Sequence, residues 1–200
     1  LYPADDHVEG KLLRLKQQYF FISATAQDIV RKHIRTWGDI RSFSKHHIIQ
    51  INDTHPTMII PELMPIFMDE YELGWDEAWE LVKNSVAYTN HTVMSEALEK
   101  WEARLLMQAV PHLYPVIRRI NQRLLKEQAG DSKMSLSRGG RVSMADLSIY
   151  ASRRTNGVAE IHSKILKDSV FKNWYEKYPE RFCNVTNGIT QRRWLALCNP

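Results

Sequence analysis

Two short polar segments contain the residues best suited to chemistry. Asn52-Asp53-Thr54-His55-Pro56 and Asn90-His91-Thr92 combine a carboxylate, amides, hydroxyls and two imidazoles. Such groups can transfer protons or hold a hydroxyl-rich ligand through directed hydrogen bonds. The same residue types also cap helices and satisfy loop backbones, and for either segment taken alone that structural role is the favoured interpretation.

Both segments directly follow a predicted β-strand. The runs Ile48-Ile49-Gln50-Ile51 and Ser85-Val86-Ala87-Tyr88-Thr89 are rich in β-branched and aromatic residues. Helices are predicted between them, one beginning at Pro61 and closed by Gly74, the next capped by Asp76. Strands separated by helices favour a parallel sheet with right-handed crossovers. Ligands bind outside the carboxyl ends of such strands, so we expect both segments to face one crevice.

The remaining periodicity predicts a helix-rich α/β fold. Apolar residues recur by threes and fours from Leu12 to His33, which predicts a long amphipathic helix ended by Gly38. Asp6 and Glu9 have capping-box spacing before it. Further predictions are helices from Ser95 to Gln128 broken at Pro111 and Pro115, a turn at Gly139-Gly140, a helix from Met144 to Ser152, a tight connection at Asn156-Gly157, a helix from Val158 to Lys167, a strand from Phe182 to Val185 and a helix from Arg192 to Leu197.

Several other chemistries lack a signature in the sequence. The adjacent pair His46-His47 cannot chelate from one helix face and no HExxH motif is present, so no metal site is predicted. GxSxG, P-loop and GxGxxG motifs are also missing. A glycosidase-like acid–base pair could be chosen from the acidic residues, although sequence gives no distance between them. The acidic candidates for that pair are Asp5, Asp6, Asp53 and Glu96. Trp75 and Trp79 have helical spacing and are predicted to lie in the core.

Composition limits the class of protein. The 200 residues are 44% hydrophobic and 25% charged, which is typical of a globular protein. The net charge of +4 comes from basic pairs spread along the chain, which favours a solvated surface over a nucleic-acid patch. No apolar run approaches membrane-spanning length, and two cysteines without CxxC spacing favour a reducing, cytoplasmic location. Because the chain begins at Leu1 rather than Met, we expect it to be part of a longer protein.

Eleven collinear motifs make the sequence resemble the α-glucan (glycogen, starch or maltodextrin) phosphorylase family. They are Leu1-Tyr2-Pro3, Glu9-Gly10-Lys11, Leu13-Arg14-Leu15-Lys16-Gln17, Gln50-Ile51-Asn52-Asp53-Thr54-His55-Pro56, Pro61-Glu62-Leu63-Met64, Ala87-Tyr88-Thr89-Asn90-His91-Thr92-Val93, Glu96-Ala97-Leu98-Glu99, Asn156-Gly157-Val158-Ala159, Ile161-His162-Ser163, Thr186-Asn187-Gly188-Ile189-Thr190 and Arg192-Arg193-Trp194-Leu195.

The resemblance implies that residues 1–200 form the later part of the Rossmann-like N-terminal domain in a two-domain glycosyltransferase-B fold. It also implies that the full protein, a homodimer, uses inorganic phosphate to release glucose 1-phosphate from α-1,4-glucans. The family's pyridoxal phosphate acts through its phosphate group, and its lysine lies in the C-terminal domain, outside this chain. The chain alone is therefore expected to be inactive. A non-catalytic glucan-binding module and, more distantly, a basic nucleic-acid binder are the alternatives.

The resemblance also assigns roles to single residues. His91 would grip the donor glucose near its 6-hydroxymethyl group, and Asn199 would be a second donor-sugar contact. Tyr2 would lie near the glucan path, and Asp5 and Asp6 would belong to a mobile gate. The pocket beside the catalytic site would be formed by Arg14, Asp53, His55, Thr92 and Glu96.

Three positions depart from the family pattern. The gate reads Ala4-Asp5-Asp6 where the family commonly has Asn-Asp-Asn, so an amide is replaced by a carboxylate at Asp6. Arg31-Lys32 stands where regulated animal members have an arginine pair for the phosphate of AMP. The connection from Arg35 to Ile48 is shorter than the corresponding connection in those members. We therefore hypothesise an unregulated enzyme of microbial type.

Overall fold

A computed structural model describes residues 3–128 and 132–198. Tyr2 and Asn199, both predicted substrate contacts, lie outside the described residues. In chain order the helices and strands are α1 (Val8–Trp37), α2 (Phe43–His46), β1 (Ile49–Asn52), α3 (Ile59–Pro65), α4 (Trp75–Ser85), β2 (Val86–Thr89), β3 (Lys100–Glu102), α5 (Ala103–Ala109), α6 (Tyr114–Glu127), β4 (Ser137–Arg138), β5 (Arg141–Ser143), α7 (Met144–Ala151), β6 (Thr155–Gly157), α8 (Glu160–Ile165), α9 (Lys172–Lys177) and β7 (Phe182–Asn184).

The main sheet has the strand order β1-β2-β6-β7, and every pairing in it is parallel. Ile49 pairs with Val86 and Asn52 with Thr89, so the first two strands end at the same level. Three of their β-branched and aromatic residues, Ile51, Val86 and Tyr88, are fully inaccessible, and Ile49 and Thr89 are partly buried. The prediction of a helix-rich α/β fold with a parallel sheet is confirmed.

A second, antiparallel sheet of order β3-β5-β4 was not predicted. β3 interrupts the start of the region expected to be helical from Ser95 to Gln128, so that expectation is wrong there. The rest is confirmed, because α5 and α6 flank the expected break at Pro111, although Pro115 lies in the first turn of α6 and does not break it. The β3 pattern of exposed Lys100, buried Trp101 and partly buried Glu102 is too short to stand out from a helix. The turn expected at Gly139-Gly140 is confirmed, because both glycines have positive φ (54° and 72°) where the chain passes from β4 to β5.

Helix α1 buries the predicted face, including Leu15, Ile22 and His33. Gly38 ends it in the left-handed conformation (φ 73°), with its N–H donating to the Ile34 carbonyl at 2.9 Å. The capping box proposed for its start is wrong. The N-cap is His7, and the exposed Asp6 carboxylate lies 3.1 Å from the His7 Nδ1 atom instead of capping the helix.

Helix α3 begins at Ile59 rather than Pro61 and runs past Pro65 into a π-helical segment, Ile66–Glu70. Gly74 is the N-cap of α4, so Asp76 is not the cap but lies in the first turn, where its charge suits the helix dipole. The helix expected from Val158 to Lys167 is α8 with a further π-helical segment, Leu166–Val170.

The Asn156-Gly157 pair was expected to form a tight connection, and this is wrong because both residues belong to β6, an interior strand. Glycine is needed there because helix α8 approaches closely. A Cβ atom on Gly157 would lie 2.6 Å from Ser163 Oγ and 2.9 Å from Ser163 N. The late strand and final helical turn are confirmed as β7 and a π-helical segment, Arg192–Leu197.

The core lies between the main sheet and its covering helices. Trp79 is fully buried, as predicted, and packs near Tyr150 with ring centroids 5.3 Å apart. Trp75 is only partly buried, and the Arg119 guanidinium lies 3.9 Å from its ring centroid. In the ranges 3–128 and 132–198, no helix is both long and apolar enough to span a membrane.

Candidate functional site

The two polar segments meet at the carboxyl ends of β1 and β2. The Asp53 N–H donates to the Thr89 carbonyl at 2.9 Å, and the His91 Nε2 atom contacts Asn52 Oδ1. Because the strands are parallel and end in register, these contacts follow directly from the sheet. The two polar segments therefore meet at one edge of the sheet, as predicted, but only the first of them lines a cleft there. Asn52, to which the sequence assigned no role, joins the two segments.

Asp53 adopts a backbone conformation that is unusual for a residue other than glycine. Its φ of 62° lies in the left-handed region, which aspartate tolerates better than most residues. Its Oδ1 atom accepts a hydrogen bond from the Thr54 backbone N–H at 2.7 Å. The side chain therefore stabilises the sharp turn from β1 into the loop and fixes where the carboxylate lies.

Glu99 ties this loop to helix α1. Its Oε2 accepts from the Thr54 hydroxyl and its Oε1 from the Gln18 amide, each at 3.1 Å. The Arg14 Nε atom lies 3.7 Å from the same Oε1, and both of these side chains are largely buried, at 16% and 14% exposure. Sequence reasoning gave the carboxylate role in this segment to Glu96, which is exposed and contacts Ser95 Oγ at 3.3 Å.

A cleft of about 520 Å³ lies over this network, and we call it the loop cleft. Five predicted site residues line it: Asp5, Arg14, Asp53, His55 and Glu96. A second cleft of about 800 Å³ shares Ser95, Leu98, Lys100 and Arg141 with it and is bordered by further cationic side chains. Carboxylates and donors facing a water-filled space can bind sugar hydroxyls through several oriented hydrogen bonds.

Three predicted site residues do not line the loop cleft. His91 is exposed beside it, held through Asn52. Thr92 follows His91, and its hydroxyl accepts from the Met94 N–H at 3.2 Å. Asp6 is 87% exposed and paired with His7, so it is not drawn into this network. Among the residues that the structure describes, no group of three or more His, Cys, Asp or Glu is arranged to hold a metal ion.

The residue before His91 is the most buried polar group of the site. Asn90 is fully inaccessible, and its Nδ2 donates to the Tyr88 hydroxyl at 3.1 Å. Burial raises the pKa of Tyr88, which keeps that hydroxyl protonated at all physiological pH values. Asn90 Oδ1 contacts His162 on α8 at 3.1 Å. Both Asn90 and His162 stand inside family-like motifs, but neither received a role from the sequence.

Comparison with known proteins identifies the family of the chain. The carbohydrate phosphorylase family model matches residues 1–200. The chain is 44% identical over 211 residues to the glycogen phosphorylase of Chlamydia pneumoniae, and 48% identical over 221 residues to the muscle form of Oryctolagus cuniculus and to the brain form of Homo sapiens. Each alignment covers 100% of this chain and 26% of the relative, so the chain spans about a quarter of their length. The chain belongs to the carbohydrate phosphorylase family.

Proposed function

We propose that the protein containing this chain is an α-1,4-glucan phosphorylase. It transfers terminal glucosyl units of glycogen or maltodextrin to inorganic phosphate and releases glucose 1-phosphate. The observation that carries this proposal is the loop cleft, which Asp53 and Glu99 line at the sheet edge of a chain that matches the family throughout. His91 lies outside this cleft and contacts Asn52 at the same edge. The three relatives named above are all glycogen phosphorylases.

His91 has a defined hydrogen-bonding role in this proposal. Asn52 Oδ1 is a carbonyl oxygen and can only accept, so the hydrogen of a neutral His91 ring lies on Nε2. Nδ1 is then an acceptor for a hydroxyl of the donor glucose. A sugar held in this way is oriented before reaction, which lowers the entropic part of the barrier. We propose His91 as the donor-sugar residue, with Asn199 as a second contact.

The remaining site residues orient the glucan. Asp53, His55 and Arg14 line the loop cleft together with Glu96, and Thr92 lies beside His91. Tyr2 lies near the glucan path in this proposal, while Asp5 and Asp6 belong to the gate. A neutral, hydroxyl-rich chain suits such a mixture of carboxylates and donors, because each hydroxyl can both donate and accept.

Pyridoxal phosphate does not fit the described residues. A Schiff-base lysine is normally enclosed, and in the parts of the chain that the structure describes no lysine is fully buried. The loop cleft is lined by four carboxylates as well as four cations, so it has no excess of positive charge for a phosphate group. These residues are Asp5, Asp53, Glu96 and Glu99, and Lys11, Arg14, Lys100 and Arg141. We propose that other parts of the full-length protein bind the cofactor and inorganic phosphate, that this protein is a homodimer, and that the 200-residue chain alone is inactive.

Regulation by AMP is not expected. Arg31 donates to Gln27 at 3.0 Å and Lys32 pairs with Asp28 at 2.6 Å, so both cations have partners on their own helix. The alignments with the animal enzymes extend over 221 residues against the 200 of this chain, so the stretch of those relatives that matches this chain is longer than the chain itself. Activation of the full-length protein by AMP would contradict this part of the proposal.

The test is an assay of the full-length protein for glucose 1-phosphate released from maltodextrin and inorganic phosphate. His91→Ala and Asp53→Ala should each lower kcat/KM at least tenfold, the cost of about 1.4 kcal/mol of lost transition-state stabilisation. Asn84→Ala is the control, because Asn84 is exposed and only donates to the Glu80 carbonyl of its own helix. Maltodextrin binding without phosphorolysis would instead favour the glucan-binding module.

A further inference from the structure

The loop that presents His91 is held by the side chain of the residue before it. Asn90 Oδ1 accepts a hydrogen bond from the Thr92 backbone N–H at 3.0 Å, closing a turn around His91. The Asn90 backbone N–H donates to the Asn156 carbonyl of β6 at 2.9 Å. The peptide that carries His91 is therefore fixed on both sides by one buried residue.

His162 completes this arrangement in one particular neutral form. The Val158 backbone N–H donates to His162 Nδ1 at 3.0 Å, so Nδ1 is unprotonated. The ring hydrogen of a neutral imidazole must then lie on Nε2, 3.1 Å from Asn90 Oδ1. His162 therefore donates to Asn90, and the amide oxygen accepts two hydrogen bonds in a site without water access.

The place of His162 is set by the packing of α8 on the sheet. Gly157 leaves no room for a side chain because Ser163 N and Ser163 Oγ lie against it. The Ser163 hydroxyl also donates to Asn184 Oδ1 at 2.7 Å, which joins α8 to β7. His162, one residue before Ser163, is thereby held beside Asn90 by contacts that do not involve the loop itself.

We propose that Asn90 and His162 are positioning residues for the reaction. The Nε2–H of His162 donates a hydrogen bond that fixes the orientation of the Asn90 amide, and that amide holds the loop that presents His91. The inference rests on the proposed phosphorylase function. Neither residue needs to touch the substrate. Its consequence is that the donated hydrogen bond at Nε2, rather than bulk or charge at position 162, supports catalysis.

Two substitutions of His162 separate the two ring nitrogens. In His162→Gln the amide nitrogen can take the place of Nε2 and still donate to Asn90, but the acceptor for Val158 is lost. In His162→Asn the amide oxygen can take the place of Nδ1 and still accept from Val158, but the donor to Asn90 is lost. Asn90→Ala removes the three side-chain hydrogen bonds of Asn90, with Tyr88, Thr92 and His162, and leaves its backbone N–H bonded to β6.

The experiment uses the full-length protein and two readouts. In the phosphorolysis assay, His162→Asn and Asn90→Ala should lower kcat about tenfold, as expected when a hydrogen bond to a positioned group is lost, with the KM for phosphate within twofold of wild type. His162→Gln should keep kcat within about threefold of wild type. His112→Gln is the control, since the His112 Nε2 atom contacts the Tyr19 hydroxyl at 2.8 Å outside this network.

Hydrogen–deuterium exchange gives the second readout and does not depend on activity. Amides of residues 90–94 should exchange faster in His162→Asn and Asn90→Ala than in wild type, and at the wild-type rate in His162→Gln. The reverse order of the two His162 variants, or wild-type exchange and kcat in all of them, would overturn the inference. If the wild-type protein released no glucose 1-phosphate, the proposed function would fail, and the exchange order alone would still decide whether this network holds the loop.

Discussion

Glu99 is the residue whose removal should most disturb the candidate site, because it joins the loop after β1 to helix α1 beneath the loop cleft. Its carboxylate accepts hydrogen bonds from the Thr54 hydroxyl and the Gln18 amide and lies beside Arg14. Glu99→Ala removes all three interactions and leaves a void in a largely buried region. Glu99→Gln keeps the size of the side chain and removes only the charge.

The expected magnitudes follow from these contacts. A hydrogen bond to a charged group contributes about 1.5–3 kcal/mol, so the loss of two partners that can partly rehydrate should cost about 3 kcal/mol. In Glu99→Gln, the amide oxygen can still accept from Gln18, and the amide nitrogen can donate to Thr54 Oγ1. Only the attraction to Arg14 is then lost, which should cost about 1 kcal/mol.

Thermal unfolding of the 200-residue chain and kinetics of the full-length protein measure the two effects. A change of about 3 kcal/mol should lower the Tm by about 6–12 °C for a domain of this size, and Glu99→Gln should lower it by only about 2–4 °C. Because Thr54 follows Asp53, Glu99→Ala should also lower kcat/KM for maltodextrin more than Glu99→Gln does. Equal Tm values for wild type and Glu99→Ala would refute the proposed anchoring, and so would equal damage by both substitutions.

Three further predictions concern other parts of the chain. Gly10→Ala would bring a methyl group to 1.6 Å from the Ala4 carbonyl oxygen if nothing moved, so the preceding loop must shift. The KM of the full-length protein for maltodextrin should therefore rise, with little change in Tm. Asp53→Gly should unfold within about 1 kcal/mol of wild type in a denaturant titration, because glycine accepts the φ of 62°, yet kcat/KM should still fall at least tenfold. Burial and the neighbouring His33 lower the pKa of His47, so the unfolded chain binds more protons and stability should fall as the pH drops below about 6.5. His47→Gln should flatten that fall in Tm between pH 7.5 and 5.5, and an unchanged slope would contradict it.

The parts of the fold that sequence predicted well are those with a long or sharply ended pattern. Helix α1 repeats its apolar face over 30 residues, and Gly38 ends it where a left-handed residue is required. The two strands before the polar segments contain β-branched runs that end abruptly at Asn52 and Asn90. Their parallel pairing then followed from the helices between them, which is why the meeting of the two polar segments at one sheet edge could be predicted.

The parts that were missed depend on contacts between distant residues or on very short elements. β3 and β6 have three residues each, too few for an alternating pattern to be seen. The dipeptide Asn156-Gly157 is typical of turns but lies in a strand here, so residue type alone does not separate the two structures. Glu99 meets Gln18 across 81 positions of sequence. No local pattern marks such a pairing, so motif matching selected the exposed Glu96 in the same segment.

The contrast between His91 and Asn90 shows what an exposed candidate residue requires of its neighbours. His91 is exposed, as a ligand-binding side chain must be, and an exposed imidazole on a loop has many orientations available to it. Asn90 is fully buried and its amide is engaged on both its oxygen and its nitrogen, so it has essentially one orientation. Rigidity is thus supplied by the inaccessible residue, and chemistry by the accessible one beside it. A substitution that leaves His91 intact but removes an acceptor or donor from Asn90 should therefore impair the same catalytic step as loss of His91 itself, to a smaller extent.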